Sequence, residues 1–243
     1  MRFAGAFLSV GAVVHAGPEQ VPPLPATTEQ VVMVTSNSWS STTGSLQRYE
    51  RDGKTWKKAG PPIPVSLGKT GMAWGKGPND TGNEGLQKRE GDGRAPAGIF
   101  QLGPAFGYAP QPPAGCTLPY RAVTDRDYFV DDPASPDYNR WVTIPPAEPN
   151  EPEKRWTSFE RMKRPDHLYE LGIVIQYNDN PVVPGKGSAV FMHIWREAGA
   201  PTAGCTAMTR GNLLELLRWL KPAKHPVLIQ APADELRHVA STK

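Results

Sequence analysis

The chain has 243 residues, 38% of them hydrophobic and 21% charged, with a mean hydropathy of −0.48, which suits one ordinary globular core. The formal charge of +3 falls to +2 once the first sixteen residues are set aside, because they hold Arg2 and no acidic residue. A balance this near neutrality excludes an electrostatic nucleic-acid binder, and a pI near 8.8 speaks only to association with anionic polymers.

Residues 1–16 run from Met1-Arg2 through the small and apolar stretch Phe3 to Val14 to Val14-His15-Ala16, the pattern of a secretory signal peptide. Residues 17–28 hold too many prolines for a helix or central strand and read as a Pro-rich linker. The sequence predicts a folded domain over 29–232 and a loose polar tail over 233–243. No other segment approaches the roughly 18 apolar residues of a membrane-spanning helix, so no transmembrane segment is expected in the mature, exported chain.

Within the domain, Val31 to Val34 reads as a buried strand, followed by a Ser/Thr/Gly-rich loop over 35–45. Asp52-Gly53 between 46–51 and 54–58 is a two-residue hairpin signal. Residues 60–119 are dense in Gly and Pro and read as loops between short strands. Gly68-Lys69-Thr70 invites a phosphate-loop reading, but Ile63 stands where the first glycine is needed, and nucleotide binding is rejected. A short helix is expected around Thr157 to Leu168, interrupted by Pro165, and then a strand at Ile173 to Tyr177. Ser188 to Trp195 follows as a strand with Phe191, His193 and Trp195 on one face and Val190, Met192 and Ile194 on the other. Two apolar faces make it central. One clear helix spans Thr209 to Leu220, capped by Thr209 and carrying a Leu213, Leu216, Leu217, Leu220 stripe; Pro226 to Gln230 reads as the last strand.

The chemistry concentrates in Phe191-Met192-His193-Ile194-Trp195-Arg196 and Pro201-Thr202-Ala203-Gly204-Cys205-Thr206. A cysteine after Thr-Ala-Gly and before a helix sits at a tight turn, where glycine permits close backbone approach. A nearby histidine is suited to take the thiol proton, because imidazole titrates nearest to neutrality. Backbone N–H groups at Gly204 and Cys205 are candidates for stabilising an oxyanion. From the residues alone other readings stay open: a core histidine bonded to backbone, a buried structural cysteine, a Cys116–Cys205 disulfide, or a zinc site adding Cys116 or His167. The zinc reading lacks paired-ligand spacing, so no metal and no cofactor is expected.

These segments, with Gly187-Ser188-Ala189-Val190 before them and Ala207-Met208 after, resemble the His and Gly-Cys core of the L,D-transpeptidase catalytic (YkuD-type) family. Lys69-Thr70-Gly71, Asp92 to Phe100, Asp131-Asp132-Pro133 with Tyr138-Asn139, and His167-Leu168-Tyr169 resemble segments of a secreted branch of it with a Thr-Ala-Gly-Cys motif. The resemblance covers roughly residues 30 to 231 and implies a mainly β, sandwich-like fold with one helix after the catalytic cysteine. It further implies that Cys205 is the nucleophile and His193 the general base, oriented by a backbone carbonyl. The substrates implied are peptidoglycan stem peptides: D-alanine leaves, a thioester remains, and an amine resolves it to a cross-link. Water as the resolving group gives a carboxypeptidase-type hydrolase, and a silent wall-binding domain is the alternative from another class. Where the better-known family motif has a histidine before Gly-Cys and an arginine two residues after, this chain has Ala203 and Ala207. Thr202, Arg196 and Arg210 are then the candidate substrate-binding residues.

Overall fold

The computed structural model describes residues 21–76 and 85–239. The expected signal peptide, the first part of the linker, Gly77-Pro78 and the last four residues lie outside the described residues. The chain is mainly β. In chain order the strands are β1 (Gln30–Ser36), β2 (Thr43–Asp52), β3 (Thr55–Lys58), β4 (Ile63–Ser66), β5 (Met72–Trp74), β6 (Ala95–Gly107), β7 (Tyr120–Ala122), β8 (Asp127–Val130), β9 (Arg140–Thr143), β10 (Phe159–Arg161), β11 (Leu171–Gln176), β12 (Phe191–Ile194), β13 (Thr206–Met208) and β14 (Val227–Pro232). Helix α1 (Arg210–Trp219) follows β13, and a short α2 (Leu236–Val239) follows β14.

Hydrogen bonding runs in the order β1-β14-β6-β11-β12-β13-β4-β2 and closes on itself through antiparallel β1–β2, which protects the long strands from exposed edges. Strands β10, β8 and β9 form a separate small sheet. Alternation divides the apolar side chains between two regions. Met192, Ile194 and Met208 join the main core with Leu213, Leu216, Leu217 and Leu220 of the helix region. Phe191 and Cys205 instead face a second cluster with Phe106, Phe129, Met162 and Tyr169, beneath the small sheet. Each fully buried leucine contributes about 1.5–3 kcal/mol, so the leucine stripe of α1 is a main anchor of the sheet region that carries the cysteine.

Helix α1 begins as its sequence dictates: the Thr209 hydroxyl accepts from the Asn212 N–H at 3.1 Å. The Asp52-Gly53 hairpin forms with its loop displaced by one residue; Asp52 pairs with Thr55, leaving Gly53-Lys54 as the turn, with Gly53 at φ +59°.

Three expectations are corrected. The Gly/Pro-rich stretch after residue 60 contains a 13-residue strand, β6, rather than short strands alone. Pro104 is tolerated because Gly103 and Pro104 fall at a bulge opposite Val174, where the ladder with β11 skips from Ile173 to Ile175. No helix forms over 157–168; β10 pairs with β8 there, and Phe159 packs edge-on against Tyr128. The tail is not loose through Val239: Leu236 and Val239 are buried against the main core, which rewards a short helix there. Residues 21–28 carry no strand or helix, yet Val21 and Leu24 also pack on the core, and Arg51 donates to the Thr28 carbonyl at 2.6 Å.

Candidate active site

β12 and β13 run parallel, with His193 opposite Ala207 and Met192 opposite Thr206. Continuing this register sets Cys205 beside Phe191, so Cys205 and His193 share a face, two residues apart along neighbouring strands. The Phe191 N–H donates to Cys205 Sγ at 3.4 Å, and Sγ lies 3.6 Å from the Ala189 carbonyl. Both side chains line one cavity of about 310 Å³.

The turn before Cys205 depends on glycine. Gly204 sits at φ +147°, and a Cβ there would meet the Arg94 carbonyl oxygen at 2.9 Å. Thr202 ties the turn from inside: its hydroxyl accepts from the Gly204 N–H at 3.1 Å and donates to the Cys205 carbonyl at 2.7 Å. The Gly204 N–H is thereby engaged. Across the cavity mouth, Ala189 adopts φ +51°, held by Asn139, whose Oδ1 accepts from the Ala189 N–H at 3.2 Å. Asn139 also donates to the Tyr177 and Asn178 carbonyls, so it clamps the loop that presents Ala189 to the sulfur.

His193 Nδ1 meets the Ile194 carbonyl at 2.8 Å. A carbonyl only accepts, so Nδ1 carries the proton and Nε2 keeps a lone pair. Tyr169 packs edge-on against the ring at 5.3 Å between centroids. Burial lowers the imidazole pKa to about 4, against a smaller raising effect from the Ile194 hydrogen bond. Burial pushes the Cys205 thiol up to about 12, partly opposed by the Phe191 N–H and by the positive charges of Lys88 and Arg164. The resting pair is therefore neutral thiol and neutral imidazole.

The structure brings Thr202, Gly204, Arg196, His193 and Cys205 to the same cavity. Arg210 is not among the cavity residues; its guanidinium pairs with Glu170 at 2.9 Å on the surface. Cys116 is a free thiol packed against the main core, and Cys205 is free as well. His167 bonds the Trp195 carbonyl from an exposed position.

Sequence reasoning missed the ionisable groups around the pair: Lys88, Glu90, Glu160 and Arg164 also line the cavity, and Asp131, singled out only within the family-like segment Asp131-Asp132-Pro133 and given no role, joins them. Burial raises the pKa of both Asp131 and Glu160, and Asp131 Oδ1 is buried without a hydrogen-bond partner among the described residues. Glu90 accepts from Ser188 Oγ at 2.6 Å and from the Tyr138 hydroxyl. No local pattern announces these residues, because they come from the segment before β6 and from the small sheet. The i, i+4 spacing of Glu160 and Arg164 is a helical signal, but no helix forms there: Glu160 lies on β10 and Arg164 in the loop after it.

A family model for the L,D-transpeptidase catalytic domain (YkuD) matches residues 39–229. The chain belongs to this family. Both Cys205 and His193 lie within the matched span of this YkuD-family chain. Among solved structures, the chain is similar to the helical cell shape determining protein Pgp2 from Campylobacter jejuni, at 15% identity and a TM-score of 0.43, covering 89% of this chain and 52% of Pgp2. The K307A mutant of Pgp2 gives 14% identity and 0.42, covering 92% of this chain and 57% of the mutant. The YkuD-family chain thus spans little more than half the length of these structures. Comparison with curated proteins found no match.

Proposed function

We propose that this chain is an exported acyltransferase that acts on peptidoglycan stem peptides through a Cys205 thioester. The observation that carries the reading is the shared face of Cys205 and His193 at one cavity, with Nδ1 tied to Ile194 and Nε2 left as the base. Family membership supports the substrate class.

In this mechanism His193 Nε2 takes the thiol proton as Cys205 Sγ bonds to the carbonyl carbon, and the carbonyl electron pair moves onto oxygen. Collapse of that intermediate breaks the C–N bond, and the leaving D-amino acid takes the proton from His193. An acceptor amine then gives a proton to His193, bonds to the thioester carbon and expels the Cys205 sulfur, which recovers the proton. One amide is lost and one is made, so no external energy source is required. With the Gly204 N–H engaged by Thr202, the oxyanion is assigned in this mechanism to the Cys205 N–H. The carboxylates of Glu90, Asp131 and Glu160 supply counter-charge for an ammonium-bearing substrate or acceptor.

Incubation with tetrapeptide muropeptides followed by mass analysis tests this. Cross-linked dimer supports transfer, tripeptide monomer indicates hydrolysis, and unchanged substrate with retained binding defeats the enzymatic reading.

A further inference from the structure

Lys88 is only 5% exposed, and its ammonium sits at the cavity that holds Cys205. Its Nζ would lie 3.7 Å from a Cβ placed on Gly204, directly beside the cysteine turn. The position is built. The Lys88 N–H bonds the Trp74 carbonyl, and its stem passes against Gly187, where any Cβ would meet Lys88 Cε at 3.0 Å. Nζ donates to Asp92 Oδ1 at 2.9 Å and weakly to the Arg89 carbonyl at 3.4 Å. Asp92 is itself anchored by the N–H groups of Arg89 and Arg94. An ammonium has three donors, and among the described residues these two bonds leave one unspent beside the cavity.

The turn has a matching need. The Gly204 N–H, which ought to face an oxyanion, is taken by the Thr202 hydroxyl. The position two residues after the cysteine carries no cation, since it is Ala207.

We infer that Lys88 is the electrostatic partner of the Cys205 reaction: its ammonium stabilises the negative charge that develops on Cys205 sulfur and on the carbonyl oxygen during attack. Asp92 positions it and moderates its charge. Lys88 forms no covalent bond and gives up no proton; it acts by field and by its third N–H, in a pocket where a fixed charge acts more strongly than in water. The positive charge of Lys88 also opposes the rise in the thiol pKa caused by burial.

The inference rests on Cys205 being the reactive group, and a test with a small neutral thiol reagent separates it from the substrate reading. The rate of Cys205 alkylation by iodoacetamide, in a Cys116→Ala background, is followed from pH 6 to 10. Lys88→Gln is expected to slow it about tenfold at each pH, in line with the loss of one nearby opposite charge. Lys88→Arg is expected to recover most of the rate. Asp92→Asn releases the Lys88 charge and is expected to move the rate the other way, upward. Thermal melts accompany each variant; should Lys88→Gln unfold, Asp92→Asn decides, and an unchanged or slower rate there overturns the inference. A Lys88→Gln profile that superimposes on wild type overturns it equally, and a loss confined to muropeptide KM assigns Lys88 to substrate carboxylate binding instead. Failure of the wall-peptide assay with these alkylation shifts intact would reject the proposed substrate and leave the Lys88–Cys205 coupling standing.

Discussion

Burial moves His193 and Cys205 in opposite directions, to about 4 and about 12, and removes the option of a preformed thiolate–imidazolium pair near neutral pH. In the proposed mechanism the proton moves during attack, which gives His193 the part of a base and not of a counter-ion. His193→Gln is expected to lower the rate of acylation by about 10²–10⁴-fold, the usual worth of general base assistance. Its residual rate should climb with pH without levelling off before about 12, while the wild-type rate should fall as pH drops through about 4. Equal wild-type and mutant rates across pH would reject the assignment. Cys205→Ala is expected to abolish thioester formation, and Cys116→Ala to keep most of it, because Cys116 packs in the main core away from the cavity. Intact-mass analysis after acylation reads both. Equal losses in the two variants would contradict the separate locations of these thiols.

At the level of elements, α1 backs β12 from the main-core side while the cavity opens on the opposite face. Damage to the helix therefore reaches the site only through the position of the strand. Thr209→Ala removes the hydroxyl that caps the Asn212 N–H and is expected to cost about 1 kcal/mol. Leu216→Ala empties a fully buried position and is expected to cost about 2–5 kcal/mol. Urea unfolding monitored by tryptophan fluorescence gives both values, and a Leu216→Ala cost below 1 kcal/mol would mean that α1 is not packed as described. Gly172 on β11 offers a sharper probe, since a Cβ there would meet Phe106 Cζ at 2.2 Å. Phe106 is fully buried against Phe191, the neighbour of Cys205, so the clash has no free direction of relief.

For the whole molecule, the neutral burial of His193 links stability to pH. The unfolded imidazole titrates near 6.5 and the folded one near 4, so between these values the unfolded chain binds more protons. Stability is therefore complete above about 6.5 and is lost as pH falls through 4, by about 3 kcal/mol. Asp131 and Glu160 work against this, because their raised folded pKa values make stability fall as pH rises through them. The difference between wild type and His193→Gln isolates the histidine: their gap in unfolding free energy should narrow in favour of the variant by about 3 kcal/mol from pH 7 to 4. A gap independent of pH would show that His193 is not buried neutral.

Local signals in the amino-acid order were enough for the apolar strand at Val31 to Val34, the capped leucine helix at Thr209 to Leu220 and the turn at Gly204-Cys205. Each rests on neighbours within a few residues, through side-chain alternation, a helical stripe or the freedom of one glycine. The parallel pairing of β12 with β13, which puts His193 and Cys205 on one face, joins segments separated by a loop that carries no pairing signal. The 13-residue β6 was hidden because its glycines and prolines read as breakers until bulge and ladder partners from β5, β7, β11 and β14 accommodate them. Lys88, Glu90, Asp131, Glu160 and Arg164 look like ordinary surface charges in sequence. Only closure of the sheet and docking of β8 to β10 over it gather them, Lys88 buried and the other four half-buried, around one buried thiol and imidazole, and burial, a property of the assembled chain, is what sets the protonation of that pair.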